Sequence, residues 1–395
     1  MNKILFIVLD GAAGKPCKTL GGKTELEAAK TPNIDSLLSK SVNGLMHVVG
    51  KNIAPQSDVA GFALMGYNPF NVPARGIVEA VGSGLNYKTG EVALRCNLAV
   101  VKGDKIIQLR LVDFSDAAGG EVEELINNGV SLDVPFTFKH TKDYRGVLVL
   151  HKKLSDQVTN THPGYIRERI GTELVSVAVK LNELVIKPCR ALNPEAGETA
   201  DIINDFSKQA SEVLTKAGIK ANYILTRDAG SSMPKLETFF NKHKIDIVID
   251  AEMPVELGMA KLLGIDTLKP SKDLRVMAKE VINKLNDTDA VYVHIKGPDK
   301  YGHLGDATGK VREIERIDRD FIGELLKIVD LKNTTICITA DHATPSVMGG
   351  HSDDPVPYLI TDSEVSSGHF CERDVKQFFI EGKELMSKVI SIAKQ

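Results

Sequence analysis

The sequence lacks the features that would point to a membrane protein, a secreted protein or a nucleic-acid-binding protein. No segment approaches the roughly 18 consecutive apolar residues that a membrane-spanning helix needs. The apolar run after Lys3 stops at Asp10, too early for a signal peptide. The five cysteines form no C-x-x-C pair and suit a reducing compartment, and a net charge of −3 offers no basic surface for nucleic acid. We therefore expect a cytoplasmic protein without membrane or nucleic-acid partners.

The remaining composition describes a globular protein with more than one core. Hydrophobic residues make up 43% and charged residues 26% of the 395 residues, as in ordinary folded domains. A single hydrophobic core seldom grows beyond about 250–300 residues. A chain of this length is therefore expected to form two domains. We find no internal repeat.

Three short apolar segments have the pattern of strands buried on both faces of a parallel sheet. They are Lys3–Leu9, Ala290–Ile295 and Thr334–Thr339, and each runs into a polar loop. In 271–285 and 311–329, apolar residues return every three or four positions, which predicts helices. This alternation predicts an α/β fold with a mostly parallel sheet flanked by helices.

The middle of the chain has a different texture. Short predicted strands at 91–101, 105–112, 135–140, 145–151 and 222–226 surround a predicted helix at 198–217. This mixture is typical of an α+β domain, and the buried-strand pattern resumes at 245–250. We therefore predict a discontinuous core domain, 1–90 and 241–395, interrupted by a smaller α+β domain at 91–240.

Carboxylate and imidazole side chains follow the three buried strands, at the edge of the sheet where open parallel α/β proteins bind ligands. They are Asp10; Asp299 and His303; and Asp341 and His342, followed by His351. Asp299 and His303 are spaced so that one helical turn places them on the same face. This donor set suits two divalent ions such as Mn²⁺, Zn²⁺ or Mg²⁺, and the lack of cysteine donors argues against structural zinc. Each Asp could singly cap a helix and each His could be a core residue, but their coincidence at three strand ends favours a metal site.

Ser57 precedes an apolar-periodic segment, 59–65, and therefore lies at the predicted start of a helix. A serine there often caps the helix with its side-chain oxygen. The same position would also serve catalysis, because free N–H groups at a helix start attract phosphate and a bound metal lowers the pKa of a hydroxyl. The residues alone leave the helix cap and the nucleophile as equal alternatives.

The other histidines give no comparable signal. His294 lies inside a predicted strand and is expected to belong to the core. We assign no functional role to five others, which are His47, His140, His151, His243 and His369.

Longer motifs surround the residues named above. In the first half they are DG at 10–11, GKTELEAAKTPN at 22–33, PQSD at 55–58, LMGYNP at 64–69 and RG at 75–76. In the second half they are PD at 298–299, GH at 302–303, ADHATP at 340–345 and HSDDPVP at 351–357. In content and order they resemble the archaeal-type, cofactor-independent phosphoglycerate mutases of the alkaline phosphatase superfamily, over nearly the whole chain.

The resemblance implies an alkaline-phosphatase-like core, an inserted substrate-binding or lid domain, and two bound divalent ions, with Mn²⁺ expected and Zn²⁺ or Mg²⁺ as alternatives. It assigns Asp10, Ser57, Asp341 and His342 to one ion, and Asp299, His303 and His351 to the other. Ser57 would be the nucleophile. Arg95, Asn97 and Arg227 resemble substrate contacts, and Lys296 is a further candidate. The implied activity interconverts 2-phosphoglycerate and 3-phosphoglycerate through a phosphoserine, in glycolysis and gluconeogenesis.

Two segments depart from the family pattern. Residues 108–113 (QLRLVD) stand where an arginine pair and a turn of small residues are expected, and the segment at 162–163 (HP) matches imperfectly. These departures concern the substrate and not the metal ligands. The alternatives are a related phosphatase or phosphotransferase for another small phosphate or phosphonate, and a metal-binding protein without catalysis if Ser57 is only a cap. The oligomeric state, the metal and the general base for the second transfer stay open.

Overall fold

The chain forms two compact units in the computed structural model, which describes residues 1–109, 111, 114–170, 173–179, 183–269, 271–365 and 368–395. The first unit comprises Met1–Pro69, Leu236–Glu252 and Leu263–Gln395, and the second comprises Phe70–Lys235 and Met253–Leu262. The domain boundaries expected from the sequence, 1–90 with 241–395 and 91–240, stay a prediction.

The secondary structure alternates between strands and helices along most of the chain. The strands are β1 (Lys3–Leu9), β2 (Lys40–His47), β3 (Val92–Lys102), β4 (Lys105–Gln108), β5 (Phe136–His140), β6 (Arg145–Leu150), β7 (Tyr165–Ile170), β8 (Glu173–Ala178), β9 (Tyr223–Gly230), β10 (Ile247–Asp250), β11 (Asp266–Leu268), β12 (Ala290–Ile295), β13 (Thr334–Thr339), β14 (Val356–Val365) and β15 (Phe379–Glu381). The helices are α1 (Glu25–Ala28), α2 (Pro32–Leu38), α3 (Ser57–Leu64), α4 (Arg75–Gly82), α5 (Asp116–Gly129), α6 (Gly197–Lys216), α7 (Phe239–His243), α8 (Pro254–Leu263), α9 (Leu274–Asn286), α10 (Pro298–Leu304), α11 (Ala307–Ile317), α12 (Gly323–Leu325) and α13 (Gly382–Ala393). A π-helical turn, Asp318–Ile322, joins α11 to α12, and 3₁₀ turns occur at Lys18–Leu20 and Pro194–Ala196.

The first unit is built on an eight-stranded sheet in the order β11-β10-β12-β1-β13-β14-β2-β15. Strand β14 is antiparallel to both of its neighbours, and the other recorded pairs are parallel. Helix α9 packs against β12 and β1, and α13 packs against β13 and β1. Leu9 pairs with Ile295 and Val8 with Thr339, so the three central strands end almost level. The loops that follow them therefore meet at one edge of the sheet.

The second unit contains an antiparallel sheet in the order β4-β3-β6-β5, with β9 also paired to β3, and a separate ribbon of β7 and β8. Successive side chains of a strand point to opposite faces of the sheet. Val92, Leu94 and Leu98 of β3 join the larger core, which α5 and α6 complete, whereas Ala93 joins a smaller core with α4. Arg95 has the same parity as Ala93. It therefore lies on the face of β3 that α4 covers.

The structure confirms the predicted α/β class with a mostly parallel sheet, and the three predicted buried strands have the expected bounds. The helix boundaries differ by a few residues. The helix predicted at 271–285 begins at Leu274, because the Asp273 carboxylate caps it by accepting from Arg275 N at 2.8 Å. The helix predicted at 311–329 begins at Ala307, where Asp306 accepts from a backbone N–H in the same way. Capping carboxylates thus decide both starts.

Candidate functional site

Three candidate metal ligands lie deep at the carboxyl ends of β1 and β13, in the first unit. Asp10 follows β1, and Asp341 and His342 follow β13. Their ligand atoms lie within 4.8 Å of one another, and all three side chains are buried. His342 Nε2 is 3.2 Å from Asp341 Oδ2 and 3.6 Å from Asp10 Oδ1. We call this group the buried cluster.

The other three candidates, Asp299, His303 and His351, form a more accessible group that we call the open cluster. Helix α10 places Asp299 and His303 on one face, with His303 Nε2 3.3 Å from Asp299 Oδ1. His351 Nε2 is 3.4 Å from the same oxygen. On the opposite side of each ring, His303 Nδ1 lies 3.1 Å from Gly349 O, and His351 Nδ1 lies 2.7 Å from Pro55 O. Imidazoles that bind metal are commonly oriented by such a contact.

The two clusters adjoin, and their donors fit divalent cations. The rings of His342 and His351 stack with their centroids 3.7 Å apart. Among the described residues, Asp10 Oδ1 is buried without a hydrogen-bond partner. A buried carboxylate oxygen without a donor is costly, and a coordinated cation removes that cost. The six residues predicted from the strand ends are therefore brought together as expected, in an arrangement that could hold two ions.

The carboxylates of the clusters differ in their electrostatic environment. Burial raises the pKa of Asp10, although the Lys296 ammonium acts in the opposite direction. Burial acts the same way on Asp341 and Asp299, but the imidazoles beside them outweigh it and hold the pKa of each well below its usual range. Both carboxylates are therefore ionised at neutral pH and available as anionic ligands.

His294 is the residue at this edge that sequence reasoning missed. Its side chain is buried, as expected of a core residue, but its Nε2 is 3.4 Å from Asp341 Oδ2 and 3.9 Å from Asp10 Oδ1. Lys296 lies beside it, with Nζ 3.2 Å from Asp10 Oδ2 and 3.2 Å from His294 Nδ1. The sequence did contain a signal for this position. His294 is the next-to-last residue of β12, and β12 pairs with β1, the strand that Asp10 follows.

Ser57 is the first residue of α3, and the residue at the N-cap is Gln56. No side-chain capping hydrogen bond is recorded for this helix start. Instead, Ser57 Oγ lies 3.3 Å from His342 Nε2 of the buried cluster. The Ser57 hydroxyl therefore lies beside a candidate metal ligand, and its role as the nucleophile stays a prediction.

The predicted substrate contacts Arg95, Asn97 and Arg227 lie together in the second unit. Arg95 in β3 and Arg227 in β9 are directly opposite in the antiparallel pair, and all three side chains are buried. Arg95 Nε donates to Asn97 Oδ1 at 3.4 Å. The Arg227 guanidinium lies 3.8 Å from the centroid of the Tyr165 ring. Like charges facing each other across a sheet are unfavourable unless anions offset them.

Buried carboxylates supply part of that compensation. Glu79 of α4 pairs with Arg95 and, at 2.8 Å, with Arg75, and Asp228 pairs with Arg227. Burial lowers the pKa of Arg95 to about 9. Burial alone would raise the pKa of Glu79, but the two arginines outweigh it and lower that pKa. We call Arg75, Arg95, Arg227 and their two carboxylates the arginine cluster.

The histidines without an assigned role make local contacts. His140 Nε2 contacts Asp143 O, His151 Nε2 contacts Thr137 Oγ1, His243 Nε2 contacts Met65 O, His369 Nδ1 contacts Asp35 Oδ2, and His47 stacks on Phe379.

In the departing segment 108–113, residues 110, 112 and 113 lie outside the described residues.

The comparisons with known proteins agree with this fold. A relative from Methanopyrus kandleri, named 2,3-bisphosphoglycerate-independent phosphoglycerate mutase, is 37% identical over 91% of this chain and 87% of its own length. One from Aeropyrum pernix with the same name is 37% identical over 99% of each chain. A solved structure from Pyrococcus horikoshii matches with a TM-score of 0.78 and 26% identity, covering 100% of this chain and 97% of that one. A cofactor-independent phosphoglycerate mutase from Thermoplasma acidophilum matches with a TM-score of 0.59 and 25% identity over 100% of both chains.

The α/β core and its paired clusters of oxygen and nitrogen donors define a metalloenzyme. The model of the metalloenzyme superfamily matches residues 2–387, and membership implies that the protein binds divalent metal ions. Within that superfamily, the chain belongs to the family of 2,3-bisphosphoglycerate-independent phosphoglycerate mutases. The resemblance noted in the sequence motifs is confirmed. None of the described helices combines the length and the apolar character that crossing a membrane requires.

Proposed function

We propose that the protein interconverts 2-phosphoglycerate and 3-phosphoglycerate through a phosphoserine at Ser57. The observation that carries the proposal is the position of Ser57 Oγ, 3.3 Å from Nε2 of His342, whose ring stacks on His351 of the open cluster. Ser57 also begins a helix whose free N–H groups favour a phosphoryl group. The relatives named above as phosphoglycerate mutases support the choice of substrate.

The proposal divides the ligands between two divalent ions. One is held by Asp10, Ser57, Asp341 and His342, and the other by Asp299, His303 and His351. Bound ions would supply positive charge that lowers the pKa of the Ser57 hydroxyl and offsets charge on the phosphoryl oxygens. We propose Mn²⁺, because carboxylate and imidazole donors suit it, with Zn²⁺ and Mg²⁺ as alternatives.

In the first transfer, Ser57 Oγ loses its proton and attacks phosphorus, and the ester bond between phosphorus and the substrate oxygen breaks. The released glycerate oxygen takes up a proton and becomes a hydroxyl. In the second transfer, the other glycerate hydroxyl loses its proton and attacks the phosphorus of the phosphoserine. The bond between phosphorus and Ser57 Oγ breaks, and Oγ takes up a proton. The reaction isomerises the substrate without net hydrolysis, provided that water is excluded while the phosphoserine exists.

Arg95, Asn97 and Arg227 are proposed to bind the substrate, with the guanidinium groups holding its carboxylate through paired N–H donors. The buried, directly opposed arginines of β3 and β9 support this assignment. Lys296, whose ammonium lies 3.2 Å from Asp10 Oδ2, is proposed to contact the phosphoryl group. We also propose a cytoplasmic location, with which five free cysteines are consistent.

The test combines an activity assay with mass spectrometry on the metal-loaded protein. Wild-type protein should interconvert the two phosphoglycerates without releasing phosphate, and a short incubation with substrate should give a phosphorylated peptide containing Ser57. The Ser57→Ala protein should lose both the activity and the phosphopeptide. Release of phosphate without isomer formation would replace the mutase by a phosphatase.

Ser115→Ala is the matched control, because Ser115 is a helix-starting serine that does cap its helix, accepting from Ala118 N at 3.2 Å. It should destabilise α5 by about 0.5–2 kcal/mol without changing the phosphorylation of Ser57. If both alanine variants lost only stability and kept isomerase activity, Ser57 would not be the nucleophile.

A further inference from the structure

Thr344 is a fully buried threonine whose hydroxyl joins the two clusters. Its Oγ1 donates to Asp299 Oδ1 of the open cluster at 2.8 Å. The same oxygen lies 3.0 Å from His342 Nδ1 of the buried cluster. One side chain thus contacts a candidate ligand of each ion.

The chemistry of the three groups determines where the protons lie. A threonine hydroxyl has a single hydrogen, and an ionised carboxylate only accepts. Because Thr344 donates its hydrogen to Asp299, the contact with His342 requires Nδ1 to carry a proton and to donate it. With Nδ1 engaged in this way, Nε2 is the ring nitrogen of His342 that is left to bind a metal. That atom faces Asp341 Oδ2 at 3.2 Å and Ser57 Oγ at 3.3 Å.

The surrounding backbone holds Thr344 in one position. Thr344 N donates to Ala13 O at 3.0 Å, and the buried Lys310 ammonium donates to Thr344 O and to Ala13 O at 2.8 Å each. Two glycines allow this close packing. A Cβ on Gly11 would lie 2.6 Å from Thr344 Oγ1, and one on Gly302 would lie 2.3 Å from Thr344 O. The hydroxyl is therefore fixed from several sides, as a residue that orients others must be.

We propose that Thr344 is a positioning residue that orients His342 and Asp299 together and so organises both metal sites before the ions bind. The inference rests on the proposed two-metal site. Removing a hydrogen bond to a ligating side chain typically weakens metal binding by about 10- to 100-fold. Because Thr344 contacts one ligand of each cluster, both binding events should weaken, whereas loss of a single ligand would act mainly on one.

The experiment measures Mn²⁺ binding to the metal-free full-length protein by titration calorimetry. Thr344→Val keeps the shape of the side chain and removes the hydroxyl, and both Mn²⁺ dissociation constants should rise by about 10- to 100-fold. Thr344→Ser restores the hydroxyl and should restore the affinity. Thr339→Val is the control, since Thr339 is equally buried but its hydroxyl donates to backbone oxygens, Pro357 O at 3.0 Å and Ala340 O at 3.4 Å, instead of to a candidate metal ligand. It should lower stability without changing Mn²⁺ affinity.

Wild-type affinity in the valine variant, or a loss no larger than that in Thr339→Val, would overturn the role of Thr344. If the valine variant does not fold, Thr344→Ala and Thr344→Ser provide the comparison, and equal Mn²⁺ affinities in those two would overturn it as well. A wild-type protein that binds no Mn²⁺, Zn²⁺ or Mg²⁺ would instead overturn the proposed function on which the inference rests.

Discussion

Replacing Lys310 by methionine should destabilise the protein strongly, although methionine has a similar length and is well suited to a buried site. The Lys310 side chain is completely buried. Its ammonium donates to Ala13 O and Thr344 O, and it lies 3.9 Å from Glu25 Oε2, which has no hydrogen-bond partner among the described residues. Methionine removes the ammonium group that makes both hydrogen bonds. It also leaves the Glu25 carboxylate buried without its cation.

The magnitude follows from these contacts. A hydrogen bond involving a charged group contributes about 1.5–3 kcal/mol, and breaking a buried ion pair by removing one partner costs about 3–5 kcal/mol. The second range already includes the lost hydrogen bonds, so we expect the free energy of unfolding to fall by about 3–5 kcal/mol. Burial lowers the pKa of Lys310, which indicates that desolvation offsets part of what its contacts contribute.

Urea unfolding of the metal-free protein, followed by circular dichroism, provides the measurement. Adding Glu25→Gln to Lys310→Met removes the uncompensated charge, so the double variant should be less destabilised than the sum of the two single variants. A coupling of about 1 kcal/mol or more is expected for residues in contact. A Lys310→Met protein within about 0.5 kcal/mol of wild type, the range of neutral surface substitutions, would refute the reasoning.

Two further predictions concern the remaining parts of the site. Gly11→Ala should destabilise the protein by more than Gly21→Ala, because both glycines have positive φ (61° and 66°) but an added Cβ meets Thr344 and Asp299 only at Gly11; equal losses in urea unfolding would contradict this. Glu79→Gln should lower the free energy of unfolding by about 3–5 kcal/mol, because it leaves buried arginines without their carboxylate. Added sulfate should recover part of that loss, and a variant as stable as wild type would show that the arginines need no anion.

The sheet could be predicted closely because its central strands have an unambiguous sequence pattern. β1, β12 and β13 are apolar runs bounded by polar residues, and burial on both faces leaves no other assignment for such short segments. Helix starts were less certain. Asp273 and Asp306 lie outside the apolar periodicity, so the pattern placed one start too early and the other too late. A cap depends on one side chain and leaves no periodic signal.

The ligand clusters could be predicted from the same strands, because carboxyl ends of parallel neighbours meet at one edge. The arginine cluster could not. Arg95 and Arg227 lie more than a hundred positions apart, and their contact depends on the register of β3 against β9, which no local pattern specifies. The motif match singled out both arginines, but Glu79, which neutralises Arg95, carried no motif that would have distinguished it from a solvated helical carboxylate.

Thr344 shows why a search for metal-binding side chains alone misses residues that orient the ligands. Aspartate and histidine are recognised as candidate ligands because they bind metals directly. A threonine in the motif at 340–345 gives no such signal. Its role becomes apparent only from the structure, in which the Thr344 hydroxyl donates to Asp299, a residue much earlier in the chain. The packing of Thr344 also explains why the motifs at 10–11 and 302–303 contain glycine. A Cβ at either position would occupy the space that Thr344 needs to reach both clusters. The motif glycines and the threonine therefore form one packing unit, and we expect changes in any of them to act on the metal ions through the same contacts.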